Sequence, residues 1–134
     1  MCYFMTEEQG KHFKQNGFLQ TEKAVKPVRV WKFMRMKCGV IESPYYASAW
    51  EINCLKTAPM VGFFVYFSQC GVSCGIHAFL NKEDAIKEMT HFQDDFDLVL
   101  AEMEIPEGAE FMVNTSESFP EIVSNKMILL EIYE

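Results

Sequence analysis

The segment Cys70-Gly-Val-Ser-Cys74-Gly-Ile-His77 places two thiols and an imidazole within eight residues. Such a cluster could hold zinc, which takes soft ligands in a tetrahedron and is easiest to order when ligands are close in sequence. The segment supplies three ligands. A fourth would have to come from Cys38 or Cys54, and there is no second paired knuckle. Cys74 and His77 could instead be a thiolate nucleophile and its base. No Asn or Asp is singled out to orient that base, and no helix start follows the Cys-Gly pairs to lower the thiol pKa. The plainer reading is two small buried thiols and a histidine of the core or surface, so no metal is expected.

A second candidate is the face Arg29, Trp31, Phe33 and Arg35. A base or nicotinamide ring could stack on the aromatics while the guanidinium groups hold phosphate. These four are the candidate ligand-binding residues. The plainer reading is a half-buried strand whose arginines reach to its edge. The carboxylate pairs Asp94-Asp95, Glu102/Glu104 and Glu107/Glu110 read most simply as solvated surface. There is no phosphate loop, dinucleotide fingerprint or nucleophile elbow.

These residues need elements to position them. Thr6-Glu-Glu-Gln9 has the spacing of a capping box, and Asn16-Gly17 is a stop, which predicts a short helix over 7–15. Val28 to Met36 alternates as a strand, with Val28, Val30, Lys32, Met34 and Met36 on the face opposite the arginines. Cys38-Gly39 and Ser43-Pro44 punctuate the chain, and Ala47 to Cys54 fits either strand or helix. Gly62 to Phe67, uncharged and aromatic, predicts a buried strand. Asn81-Lys-Glu-Asp84 is a helix start, and Ala85, Ile86, Met89 and Phe92 recur on one face, so a principal helix is expected over 82–93, stopping at Asp94-Asp95. Leu98 to Ile105 alternates as a strand with one wet face, Pro106-Glu-Gly108 is a turn, and Glu110 to Val113 is a short strand. Thr115 to Pro120 is a polar loop, and Lys126 to Tyr133 a last strand. Strands and helices do not alternate regularly. The expected class is α+β, a curved, mainly antiparallel sheet of five to seven strands against one principal helix, with a short N-terminal helix besides.

The 134 residues suit one domain over 1–134, large enough to bury a core without metal or disulfide. A composition 49% apolar and 23% charged excludes a disordered or fibrous chain. The longest apolar stretch, Pro59 to Phe67, is far short of the ~20 residues that span a bilayer. The residues Met1 to Glu8 show no basic segment before an apolar run, so no secretory signal is expected. Five cysteines cannot all pair within one chain, which points to reduced thiols and the cytoplasm. Up to Ile76 there are nine Lys and Arg against five Asp and Glu, net +4; from His77 onward three against fourteen, net −11. The total of −7 argues against nucleic-acid or membrane partners bound by general electrostatics. The acidic half either neutralises the basic half or faces a basic protein partner.

The stretches Cys74-Gly-Ile-His-Ala-Phe79 with Glu83-Asp84-Ala85, and Ile105-Pro-Glu-Gly-Ala109 with Val123-Ser-Asn-Lys-Met127, together resemble small domains of bacteria and their phages. In those, a Gly-x-His-Ala strand leads into a helix, a Pro-x-Gly-Ala turn and a terminal strand. The resemblance covers residues 28–134 and implies a compact intracellular domain, of phage or mobile-element origin, with no activity attached. A fainter resemblance is to the ADP-ribosyltransferase fold, through Arg29 or Arg35, Gly75-Ile76-His77 and Glu121. It departs from that family in having His77 where the family has Tyr or Ser, and no His on the early strand. This likeness implies NAD stacked near His77 or Phe79, with Glu121 gripping a ribose hydroxyl and stabilising an oxocarbenium-like transition state. The leading expectation is therefore a non-enzymatic binding or accessory protein without a cofactor, whose acidic half, Glu102 to Glu110 in particular, meets a protein partner. The alternative is an NAD-binding transferase in which Glu121 and His77 are catalytic.

Overall fold

The alternation between Val28 and Met36 lays down a strand at the centre of the sheet. In the computed structural model, which describes residues 3–43, 49–65, 69–92, 97–116 and 119–133, that strand runs Val28–Lys37. The elements in chain order are β1 (Tyr3–Phe4), α1 (Glu7–Asn16), β2 (Glu22–Lys23), β3 (Val28–Lys37), β4 (Val40–Glu42), β5 (Ala49–Trp50), β6 (Leu55–Thr57), β7 (Met60–Val65), β8 (Gln69–Cys74) and β9 (Ile76–Phe79). They continue with α2 (Lys82–Thr90), β10 (Leu98–Ile105), β11 (Glu110–Asn114), β12 (Glu121–Ser124) and β13 (Lys126–Tyr133).

The larger sheet follows the order β2-β11-β12-β9-β3-β10-β13-β6, with β4 beside β3 and β5 beside β4. A second sheet has the order β1-β8-β7. The class is α+β and mainly antiparallel, as expected. The larger sheet has ten strands, not five to seven. The surplus comes from β2, β4, β5 and β6, of two or three residues each, too short to show any period. It comes also from β12, which follows directly on a polar loop.

Asn125 alone separates β12 from β13, yet β9, β3 and β10 lie between them across the sheet. The sheet therefore curls until the covalent chain bridges its two sides. The inside of the curl is the main core, with Val30, Met34, Ala101, Met103, Ile122 and Leu129 at its centre, each 1% exposed or less. Side chains of this size contribute roughly 1.5–3 kcal/mol each when fully buried, so this interior is the principal source of stability.

Two satellites cover the outside. Phe33, Phe79 and Leu100 pack under Ala85 of α2. Tyr3, Met5, Cys70, Val72, Met112 and Val123 pack under α1 and the second sheet, with Phe13, Leu19 and Met60 at their margin. Helix α1 has the expected capping box: Gln9 N–H donates to Thr6 Oγ1, and Thr6 N–H to Gln9 Oε1. Gly17 closes it in the left-handed region at φ 77°.

Helix α2 ends at Thr90, short of the expected residue 93, and its stripe is narrower than expected. Ala85 is buried and Met89 packs inward, but Ile86 is 43% and Phe92 39% exposed. Ile86 lies one position round from Ala85, about 100° on a helix; Phe92 falls beyond the helix end but still meets the sheet, its ring centroid 5.5 Å from that of Phe33. Asn81 does occupy the N-cap position, but its side chain donates to Asp84 Oδ2 rather than capping the helix. Asp94-Asp95 and residues 44–48 lie outside the described residues.

Candidate functional site

Strand β3 sorts its two faces as the alternation requires. Val30 and Met34 point into the core, while Trp31 and Phe33 join the satellite beneath α2. Cross-strand register assembles a row on that outer face. Glu121 of β12 pairs with Phe79 of β9, Phe79 with Trp31 of β3, Trp31 with Glu102 of β10, and Glu102 with Glu131 of β13. Two sequence-predicted residues, Trp31 and Glu121, therefore share one row with Phe79 between them. Glu121 opens strand β12, directly after the polar stretch expected over Thr115 to Pro120.

Arg29 is ion-paired with Glu102. Arg35 lies opposite Leu98 and Glu42 at the other end of β3, roughly 20 Å along the strand from Arg29. Phe33, buried under α2, stands between them, so the two guanidinium groups do not converge on one anion. Trp31 instead faces the Tyr133 ring, centroid to centroid 6.3 Å, and Lys82 Nζ sits 5.3 Å from the Trp31 centroid and 5.1 Å from that of Tyr133. Tyr133 Oη lies 3.0 Å from Glu102 Oε1 and 3.0 Å from Glu131 Oε2. Its one proton can serve only one of them at a time, and these carboxylates push the phenol up to about 12.

His77 is a structural clamp. Cys74 and Gly75, both left-handed at φ 61° and 51°, bend the chain between β8 and β9. A Cβ on Gly75 would come within 2.7 Å of Val123 Cγ2, so the bend needs glycine for space as well as angle. His77 Nε2 lies 2.8 Å from the Cys74 carbonyl. A carbonyl only accepts, so Nε2 carries the proton, and the buried Nδ1 is a bare lone pair with no partner. Burial first, then the nearby Lys32 charge, lower His77 to about 4, against the smaller opposing effect of the Cys74 carbonyl. On the other side, Lys32 Nζ donates to the His77 carbonyl at 2.9 Å. The β3–β9 ladder holds only the pair Trp31↔Phe79, so this lysine supplies the donor that a continued ladder would have given. Burial brings Lys32 from 10.5 down to about 8.

The thiols do not gather around His77. Cys70 is buried in the α1 satellite, while Cys38, Cys54 and Cys74 are exposed, and all four are free. Cys2 lies outside the described residues. Among the described residues no three of His, Cys, Asp and Glu are placed to share a metal ion. Glu102 and Glu104 share the outer face of β10, opposite Trp31 and Arg29, while Glu107 sits in an exposed turn and Glu110 begins β11, so the acids of the 102–110 stretch do not all gather on one face.

A concavity among the described residues lies apart from these side chains. An open groove of about 870 Å3 runs between the end of α1, the segment 17–21 and β7. Phe13, Phe18, Leu19, Met60 and Val61 give it apolar walls, and His12, Gln20, Thr21, Glu110 and Asn125 polar ones; Arg29, His77 and Glu121 do not line it. Strand β7 was expected to be buried over 62–67. Its described part is instead the outer strand of its sheet, with Val61 52% and Phe64 64% exposed. Among the described residues nothing pairs with its free edge. His12 Nδ1 is buried without a hydrogen-bond partner.

Sequence reasoning missed Tyr133, Lys82 and the groove. Gly62 was the available signal: glycine inside an apolar strand marks close approach, and a Cβ there would come within 2.7 Å of the Phe13 ring and 2.8 Å of Leu19. No helix among the described residues is long and apolar enough to cross a membrane. Comparison with protein-family models, curated proteins and solved structures finds no match for the chain.

Proposed function

We propose that the chain is a non-enzymatic protein-binding module that takes an extended segment of a partner along β7, with that segment's apolar side chains seated in the adjoining groove. One observation carries this reading: a six-residue strand, its outer edge unpaired among the described residues and with Val61 and Phe64 exposed, borders a groove of mixed apolar and polar lining. A strand edge offers unpaired N–H and C=O groups to an incoming strand, and alternate side chains then fill pockets and give specificity. His12 Nδ1 offers an unmet hydrogen bond inside the groove, and Glu110 offers a carboxylate to a basic residue of the partner. Through Glu110 the acidic half contributes to the contact, although its other acids are spread over several surfaces. The reading needs no cofactor.

Selection of random peptides against the protein tests it. Enriched peptides should alternate apolar and polar residues and carry a Lys or Arg. Val61→Glu alters an exposed side chain of the groove and Phe64→Glu an exposed ring that packs on Phe13 beside it, and each should weaken binding about tenfold or more while circular dichroism shows the fold unchanged. Selected peptides that bind both variants as tightly as the wild type would place the site elsewhere. Saturable NAD binding that Glu121→Gln leaves intact while abolishing turnover would replace this reading with the transferase.

A further inference from the structure

A second cluster shares no residue with the groove. Trp31 and Tyr133 present their faces to one ammonium, Lys82 Nζ, at 5.3 and 5.1 Å. At the edge of the Tyr133 ring the Glu102 and Glu131 carboxylates each lie 3.0 Å from its Oη. Two aromatic faces with carboxylates at one edge make a cage for a cation, because the ring quadrupole and the carboxylate charge attract the same sign. Arg29 neutralises only part of that charge, through its single pair with Glu102.

The present occupant is poorly placed by every other criterion. Lys82 is the first residue of α2, where the helix dipole is positive and cations are disfavoured. Among the described residues no carboxylate lies within ion-pair distance of it. The cage, not the helix, holds that ammonium where it is. Lys82, Trp31 and Tyr133 are all half-buried, so the cage is open to solvent on one side.

We propose that Trp31, Tyr133, Glu102 and Glu131 form a binding site for an alkylammonium group of an external ligand, and that Lys82 fills this site until the ligand displaces it. Methylated ammonium groups suit it best. They spread their charge over a large, weakly hydrated surface that gives up water to an aromatic face at low cost, whereas a bare ammonium keeps its hydration.

The test follows the Trp31 indole N–H by NMR, assigned apart from Trp50, while tetramethylammonium, choline or trimethyllysine is titrated in. Lys82→Ala empties the cage, and Lys82→Gln keeps most of the stem while removing the charge, should the shorter side chain unsettle α2. Both variants should show saturable shifts with all three probes, about tenfold tighter than the wild type. Adding Tyr133→Leu should abolish them. Choline or trimethyllysine binding distinctly tighter than tetramethylammonium would support the site and identify its source as a small molecule or a modified protein side chain. No saturable shift in either variant would overturn the site. Equal affinity in wild type and variants would overturn the role of Lys82.

Discussion

Replacing Lys32 by Met should reverse the order of stability between neutral and alkaline pH. Lys32 is 9% exposed and its ammonium has one hydrogen bond, to the His77 carbonyl. Burial lowers it from 10.5 to about 8, so below pH 8 the native state holds a charge it disfavours by about 3 kcal/mol, at about 1.4 kcal/mol per unit. Because the native pKa lies under the unfolded one, the native protein releases the proton first as pH rises. Stability therefore climbs between about pH 8 and 10.5 and gains nothing further from this group above that. Lys32→Met keeps the length of the side chain and removes the charge, but leaves the His77 carbonyl without its donor, a loss of about 1–3 kcal/mol. Near pH 7 the two effects nearly cancel, leaving the variant between equal to the wild type and about 2 kcal/mol more stable. Near pH 11 only the lost hydrogen bond remains, and the wild type should lead by about 1–3 kcal/mol. Urea denaturation of both proteins across this range gives the difference directly. Tyr133, raised to about 12, acts with the opposite sign above pH 10, but equally in both proteins, so it drops out. A difference that stays constant across the range would refute the reasoning, because Lys32 would then titrate as a solvated lysine.

His77, lowered to about 4 from 6.5, should make the protein lose about 3 kcal/mol as pH falls from 6.5 to 4, since the unfolded state takes up the proton first. Its ring resonances should accordingly titrate near 4 in the native protein, and a midpoint near 6.5 would mean that Nδ1 reaches solvent. In the satellite under α2, Phe33→Ala should cost about 3–5 kcal/mol and Phe92→Ala about 1 kcal/mol, because Phe33 is 3% and Phe92 39% exposed. Equal losses in denaturant titrations would restore Phe92 to the packed stripe.

Residues whose role is fixed by their own neighbours in sequence were legible. The capping box at Thr6 and Gln9, the alternation of β3 and the limits of β10 and β13 follow from local pattern and reappear in the structure. What depended on distant partners was not. Gly62 to Phe67 has the composition of a core strand, and only the sheet order reveals the described part as an edge. The Trp31 stripe was visible as a stripe, but its occupant Lys82 and its second wall Tyr133 arrive from elements that share no sequence signal with it. His77 read as chemistry because an imidazole close behind two cysteines suggests it. The bend at Cys74 and Gly75 gives the same ring a mechanical task.

The order of strands in the curled sheet also bears on the birth of the protein. Strand β3 is complete at Lys37, but its main neighbour β10 begins at Leu98, and β13, which covers the far side of β10, ends at Tyr133. A chain emerging from the ribosome thus carries its central strand, with Trp31, Phe33 and Met34, unpaired on the β10 side until the segment Leu98–Ile105 has been made. Pairings so distant in sequence form slowly, since a long loop must close before any contact rewards it. The sheet is in this sense a lock in which β13 is a late pin. Until β13 arrives the hydrophobic interior has no wall there, and the nascent molecule depends on its prompt arrival, or on a chaperone, to stay out of aggregates.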